Sequence, residues 1–93
     1  MLFRSIADGL RAQMPGALTF PVVQKNVEKI LLVSEEEIRA TMKFLMMRLK
    51  IVVEPSGAVS AAAVLFKKLP PEIRRVGVVL SGGNVDYKVL SSL

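Results

Sequence analysis

The chain has 93 residues, of which 52% are hydrophobic and 5% aromatic, with a formal charge of +5 and neither cysteine nor histidine. It holds one domain at most; the missing cysteines rule out a disulfide framework and a thiolate metal site, and the missing histidines rule out most hydrolase triads and zinc sites. The longest apolar run, residues 61–66, is far short of the roughly 18 to 20 residues that cross a bilayer, and the basic residues are interleaved with apolar ones and carboxylates rather than clustered with aromatics, which argues against nucleic-acid binding.

So much apolar material in so short a chain implies either a homo-oligomer or a piece of a larger protein whose remainder covers these surfaces, and the second reading is preferred. Residues 1–14 lack the apolar core of a signal peptide, so a cytoplasmic location is the default expectation. Leu2-Phe3-Arg4-Ser5 is what the end of a common sequencing adapter encodes in frame. Residues 1–5 are therefore expected to be a library artefact, an expectation that recovery of the same residues from an independently cloned gene would overturn.

Ile6-Ala7-Asp8-Gly9-Leu10-Arg11 reads as a short extended or turn segment, and Gln13-Met14-Pro15-Gly16 as a loop, because proline and glycine in sequence break both periodic patterns. Thr19 is a candidate N-cap, with Pro21 inside the first turn of a short helix that runs to about Asn26. Ile30-Leu31-Leu32-Val33 reads as a short buried strand. Ser34, followed three residues later by Glu37, predicts a capping box, and Glu35, Glu36 and Glu37 sit at the positive end of the helix dipole. Ile38, Met42, Leu45, Met46 and Leu49 then form one apolar stripe on a helix ending near Lys50. Its methionines read as core packing rather than cofactor contacts.

Ile51-Val52-Val53 is a short apolar run that stops at Glu54-Pro55-Ser56-Gly57. Residues 58–68 resume as a helix with Ala58, Ala61, Ala62 and Leu65 on one face, closed by Leu69-Pro70-Pro71-Glu72. Residues 76–80 lack the alternation of a half-solvated strand and read as a strand buried on both faces. It ends at Ser81-Gly82-Gly83-Asn84, with a short helical or frayed tail after Asp86. The order predicts an α/β layout without repeat or linker.

Two polar side chains each follow an apolar run, Glu54 after Val52-Val53 and Ser81 after Val78-Val79-Leu80, and each is followed by small or turn-forming residues. Ligands of open α/β sheets bind at the carboxyl ends of strands, so the pair forms a candidate anion or cofactor site. Taken alone, Glu54 reads equally as a carboxylate favoured by the dipole of the following helix. Ser81-Gly82-Gly83 taken alone reads first as an ordinary strand-to-loop turn; it matches neither the phosphate-cradling nor the dinucleotide glycine pattern.

These segments, together with Ile6-Ala7-Asp8-Gly9-Leu10, Val33-Ser34-Glu35-Glu36-Glu37-Ile38 and Arg48-Leu49-Lys50-Ile51-Val52-Val53-Glu54-Pro55-Ser56-Gly57-Ala58, occur in the order and spacing of one family. The chain resembles the C-terminal part of the catalytic domain of threonine/serine dehydratases and serine racemases, the fold-type II pyridoxal-phosphate enzymes. The resemblance covers nearly the whole chain, which is read as a single C-terminal fragment, 1–93. It implies part of the three-layer sandwich of the tryptophan synthase β-like fold, pyridoxal 5'-phosphate as cofactor and a hydroxyamino acid as substrate. It further implies that the Ser81 hydroxyl meets the pyridine nitrogen and that Glu54 is the carboxylate near cofactor and substrate. Gly82 and Asn84 are the cofactor-side residues that follow Ser81, and the backbone of Gly9 lies beside the ring. In the racemase branch, residues like Arg48, Lys50 and Asn84 help form a nucleotide effector site at a dimer interface.

The family's Schiff-base lysine, its glycine-rich phosphate loop and the metal-binding acidic residues of the racemase-like branch all lie upstream in the parent enzymes. No lysine here stands in a matching context, and no metal ligands are expected in this segment. The resemblance thus implies an inactive piece of an ammonia-lyase that completes itself with the missing N-terminal portion. A racemase fragment and a stand-alone non-catalytic α/β interaction module are the alternatives.

Overall fold

The tightest packing in the molecule is between two helices whose sequences differ in kind, one long-sided and one built of small residues. The structure, a computed structural model, describes residues 5–93. In chain order it has a 3-10 turn Asp8–Leu10, α1 Thr19–Asn26, α2 Glu35–Phe44 continued by a π-turn Leu45–Leu49, α3 Pro55–Leu65 and α4 Tyr87–Ser91. The expectation that residues 1–5 are foreign to the chain concerns, for residues 1–4, positions outside the described residues.

α2 starts where its sequence dictates. The Ser34 hydroxyl accepts from the Glu37 N–H at 3.1 Å and the Glu37 carboxylate accepts from the Ser34 N–H at 3.0 Å, the reciprocal capping box. Hydrogen bonds hold two carboxyls of this first turn below their ordinary pKa. Glu35 is held chiefly by the Ser5 hydroxyl and then by the Ile6 N–H, and Glu37 chiefly by Lys68 and then by the Ser34 N–H. The helix ends through the π-turn at Lys50, whose backbone is left-handed at φ 60°. Its predicted stripe is buried at Ile38, Met42 and Leu45, half-buried at Met46 and exposed at Leu49. The widened last turn rotates the stripe off the core.

α3 presents Ala58 and Ala62, both fully buried, to α2, so the two backbones approach closely. Ala7, Ile38, Met42, Leu45, Val53 and Ala58 form the core. Thr41 is buried among them with its hydroxyl donating to the Glu37 carbonyl at 2.7 Å, so that hydroxyl is not stranded. The structure starts α3 at Pro55 rather than Ala58: proline fixes φ and lacks only an N–H that the first turn leaves unpaired. The helix also stops earlier than residue 68, because Lys67 turns left-handed at φ 56° before the prolines are reached. At α1 the cap position is Leu18, one residue before Thr19, and no side chain caps it.

The expected strands are a correction. Among the described residues there is no strand, so the predicted α/β layout and its three-layer sandwich are not formed here; the regular elements are helical. Strand N–H and C=O groups require a lateral partner, and the apolar runs at 30–33, 51–53 and 76–80 have none. One backbone hydrogen bond joins two of these regions, from Glu54 N–H to the Gly82 carbonyl at 3.0 Å. The runs are also bare where burial was expected: Ile30 is 73% exposed, Leu32 83% and Val79 76%.

The chain accordingly keeps 7597 Å² of accessible surface, against about 5,300 Å² for a self-sufficient folded chain of its mass. Its radius of gyration is 14.2 Å, where about 12 Å is usual for this length. Among the described residues no helix is long and apolar enough to cross a membrane.

Candidate functional site

The first turn of α3 is the point at which three distant segments meet. Glu54 is its N-cap, with extended backbone, and Val53 and Pro55 on either side are buried. This fixes the direction of the turn. The Glu54 N–H donates to the Gly82 carbonyl, and Gly57, farther along the same turn, faces the same peptide: a Cβ there would stand 3.0 Å from Gly82 O and 3.2 Å from Gly82 N. Conversely, a Cβ on Gly82 would collide with the Glu54 carboxylate, and one on Gly83 would stand 2.6 Å from the Val52 carbonyl oxygen. Backbone meets backbone here because none of these three glycines carries a side chain.

Gly9 joins the same turn from the other side. Its N–H donates to the Ser56 hydroxyl at 2.9 Å, and a Cβ at Gly9 would lie 2.8 Å from that oxygen. Gly9, Glu54 and Gly82, predicted as site residues from separate stretches, are thus brought together. Ser81 stands beside them, exposed, at the end of the 76–80 run. The run is tied to α3 by the Ser60 hydroxyl, which donates to the Val79 carbonyl at 2.7 Å. Asn84 lines an adjoining polar cavity of about 230 Å³ together with Asp8, Pro55 and Asp86. A second cavity, about 260 Å³ and apolar, lies between α2 and α3 under Val78 and Leu80.

Arg48 and Lys50 are not drawn into this cluster. Both are exposed, Arg48 in the π-turn and Lys50 just after it, where the Lys50 ammonium donates to the Met47 carbonyl at 2.8 Å. Neither lines the cavity that holds Asn84. Among the described residues no three acidic side chains gather as a metal site would need.

Sequence reasoning missed Ser56 and Gly57. The signal was the Glu-Pro-Ser-Gly sequence itself, which is a helix start with proline at its first position. Which segments that start would hold could not be read from it, since Gly9 is 47 residues away from Ser56.

Comparison with known proteins bears on the whole of this arrangement. The sequence profile of the pyridoxal-phosphate dependent enzymes matches residues 2–82. The chain is 42% identical over 91 residues to serine racemase of Dictyostelium discoideum, covering 96% of this chain and 28% of that protein. It is 43% identical over 90 residues to L-threo-3-hydroxyaspartate ammonia-lyase of Saccharomyces cerevisiae, covering 97% and 28%. Among solved structures, serine racemase from Dictyostelium discoideum superposes with a TM-score of 0.83 at 44% identity, covering 89% of this chain and 27% of that one. The chain therefore spans less than a third of the length of these relatives, and its backbone follows a portion of their fold. With more than four-fifths of its residues matched by the profile, the chain belongs to the pyridoxal-phosphate dependent enzymes.

Proposed function

We propose that the chain is the C-terminal portion of the catalytic domain of a pyridoxal-phosphate-dependent threonine/serine ammonia-lyase, which removes water from a hydroxyamino acid and releases a 2-oxo acid and ammonia. The observation that carries this reading is the joining of the Glu-Pro-Ser-Gly and Ser-Gly-Gly segments by the Glu54 to Gly82 hydrogen bond, with Gly9 held to the same turn. The excess accessible surface and the bare apolar runs support a missing remainder that covers them.

The donor set here fits the ring end of the cofactor. A backbone free of side chains at Gly82 and Gly9, a carboxylate at Glu54 and an amide at Asn84 stand around one turn of helix, and Ser81, with its neutral hydroxyl, is the exposed residue before Gly82. When bound, the cofactor supplies the electron sink that lets the α-proton and then the β-hydroxyl of the substrate depart. Ser81 donates to the ring nitrogen without adding a carboxylate's charge, which keeps that sink moderate. Glu54, facing Gly82, accepts hydrogen bonds at the cofactor and substrate, and Gly9 offers bare backbone beside the ring. The linking lysine and the phosphate loop are assigned to the missing N-terminal portion, so the 93-residue chain by itself is inactive. The complete enzyme is a cytoplasmic homo-oligomer on this reading.

A second reading, a serine racemase-type isomerase, is favoured by the match to the Dictyostelium discoideum protein, which is as extensive as that to the ammonia-lyase. In it, Arg48, Lys50 and Asn84 belong to a nucleotide effector site. One experiment separates the readings: the complete enzyme is incubated with L-threonine or L-serine, and both 2-oxo acid release and the chirality of the residual amino acid are followed. Release of 2-oxo acid that falls strongly in Ser81→Ala supports the ammonia-lyase. Accumulation of the D-isomer as the main product supports the racemase. If the complete enzyme yields neither product while the 93-residue chain unfolds cooperatively by itself, the interaction-module reading replaces both.

A further inference from the structure

We propose that Ser56 is a positioning residue: its hydroxyl holds the Gly9 backbone against the first turn of α3 and so sets the gap between the Gly9 side and the Ser81-Gly82 side of the site. The proposal rests on the cofactor-site reading above and gives a role to Ser56, which that reading uses only as a link between segments.

The hydrogen bonds around Gly9 single it out. Within the 3-10 segment, the Asp8 N–H donates to the Ile6 carbonyl at 2.9 Å, the Leu10 N–H to the Ala7 carbonyl at 3.0 Å and the Arg11 N–H to the Asp8 carbonyl at 3.3 Å. Those amides are spent locally. The Gly9 N–H leaves the segment and donates to Ser56 Oγ at 2.9 Å, across 47 residues of chain. A side chain at Gly9 would stand 2.8 Å from the same oxygen, so the approach is as close as a bare backbone permits.

Ser56 has the right place to convert that bond into a spacing. It lies in the turn whose N-cap, Glu54, binds the Gly82 carbonyl at 3.0 Å and whose Gly57 packs on the Gly82 peptide. Both sides of the site are therefore referenced to one helical turn, the Gly82 side through backbone contacts and the Gly9 side through the Ser56 hydroxyl, with Ala7 two residues earlier anchored in the core beside Ala58. Removing the hydroxyl frees the Gly9 amide to shift about the Ala7 anchor and leaves Gly82 where it is. Threonine keeps the oxygen; cysteine keeps the volume and offers a weak acceptor.

The test uses the complete enzyme with Ser56→Ala, Ser56→Cys and Ser56→Thr, and Ser81→Ala as reference. Pyridoxal 5'-phosphate affinity is measured by equilibrium dialysis, and the visible circular dichroism of the bound cofactor reports its orientation. Loss of one net hydrogen bond is expected to raise the Kd about fivefold in Ser56→Ala and Ser56→Cys. The visible dichroism weakens in both, the apoenzyme melts slightly lower in both because the bond is already made without cofactor, and Ser56→Thr restores affinity, dichroism and melting. If Ser56→Ala and Ser56→Cys match the unaltered enzyme while Ser81→Ala alters the spectrum, the positioning role is overturned and the site reading stands. If Ser81→Ala also changes nothing, the site reading itself has failed. A Ser56→Ala apoenzyme that melts lower, with Ser56→Cys normal in melting and in dichroism, makes Ser56 a stability residue and overturns the proposal.

Discussion

The apolar side chains of the helix pair α2 and α3 and those of the runs at 30–33 and 76–80 meet opposite fates. In the pair, Met42, Ala58 and Ala62 are almost wholly enclosed. In the runs, Ile30, Leu32 and Val79 stand mostly in solvent. A helix satisfies its own backbone, so it needs only one apolar face and one partner; two helices suffice. A strand satisfies neither its backbone nor its two faces without neighbours on every side. The contrast is therefore between a part of the molecule whose backbone and apolar faces are satisfied within these residues and a part whose apolar faces are left in solvent.

The largest effect should come from the enclosed side. Met42→Ala removes a fully buried side chain facing the alanines of α3 and should cost about 2–5 kcal/mol, whereas Leu32→Ala, at an exposed position, should stay within about 0.5 kcal/mol. Pulse proteolysis in urea measures both at low protein concentration. Equal costs would mean that residues 30–33 are packed in solution and would dissolve the contrast.

Next come the glycines. Gly83→Ala would force a Cβ to 2.6 Å from the Val52 carbonyl oxygen, a backbone atom that cannot swing aside, and about 1–3 kcal/mol is expected. Gly77→Ala meets nothing within 4 Å and should be neutral or slightly stabilising through the unfolded chain. The same urea series, read for both variants, sharpens the comparison, because the two glycines lie in one stretch of sequence and only Gly83 touches the segment that leads into the turn at Glu54.

Helix starts give a smaller difference. Ser34→Ala breaks a two-way capping box and should cost about 1 kcal/mol. Thr19→Ala should cost little, since Thr19 caps no amide and its hydroxyl only reaches the Gly16 carbonyl at 3.5 Å. Amide hydrogen exchange of the first turns of α2 and α1 reads this directly. A slowed α1 first turn that speeds up in Thr19→Ala would contradict the assignment.

What could be read in advance follows the same division. Ser34 and Glu37 announced their helix because the whole motif fits in four residues, and the stop near Lys50 and the short helix after Asp86 were equally local. The runs at 30–33 and 76–80 were misread as buried strands because apolar composition reports what a segment needs, not what stands beside it. Glu54 was marked by its place after an apolar run, Gly82 and Gly9 through a family resemblance. Their meeting depends on the Ser56 hydroxyl and on Gly57, whose partners lie far off in sequence. Pro55 was read as a break although at a first helical position it is a start, which moved α3 three residues too late.

The smallest expected effect is the response to acid, which tests whether the first turn of α2 is as well tied as its contacts indicate. The Glu35 carboxyl is held below its ordinary pKa first by the Ser5 hydroxyl and then by the Ile6 N–H. That of Glu37 is held down first by Lys68, at 2.9 Å, and then by the Ser34 N–H. Both groups bind fewer protons folded than unfolded, so their contribution is fully present above the ordinary glutamate value. It is lost as pH falls through the lower folded values. Urea midpoints should therefore be flat from neutral pH to about 5.5 and decline below about 4.5. Glu35→Gln and Glu37→Gln should each flatten the decline while lowering the neutral plateau. The Glu37 share should shrink further in high salt, because its ion pair with Lys68 is only half-buried and open to screening, whereas the uncharged donors of Glu35, the Ser5 hydroxyl and Ile6 amide, lie within hydrogen-bond contact and respond little. A salt response shared equally by the two variants would show that the Ser5 and Ile6 bonds do not persist in solution. The N-terminal segment would then join the exposed part of the molecule rather than the enclosed one.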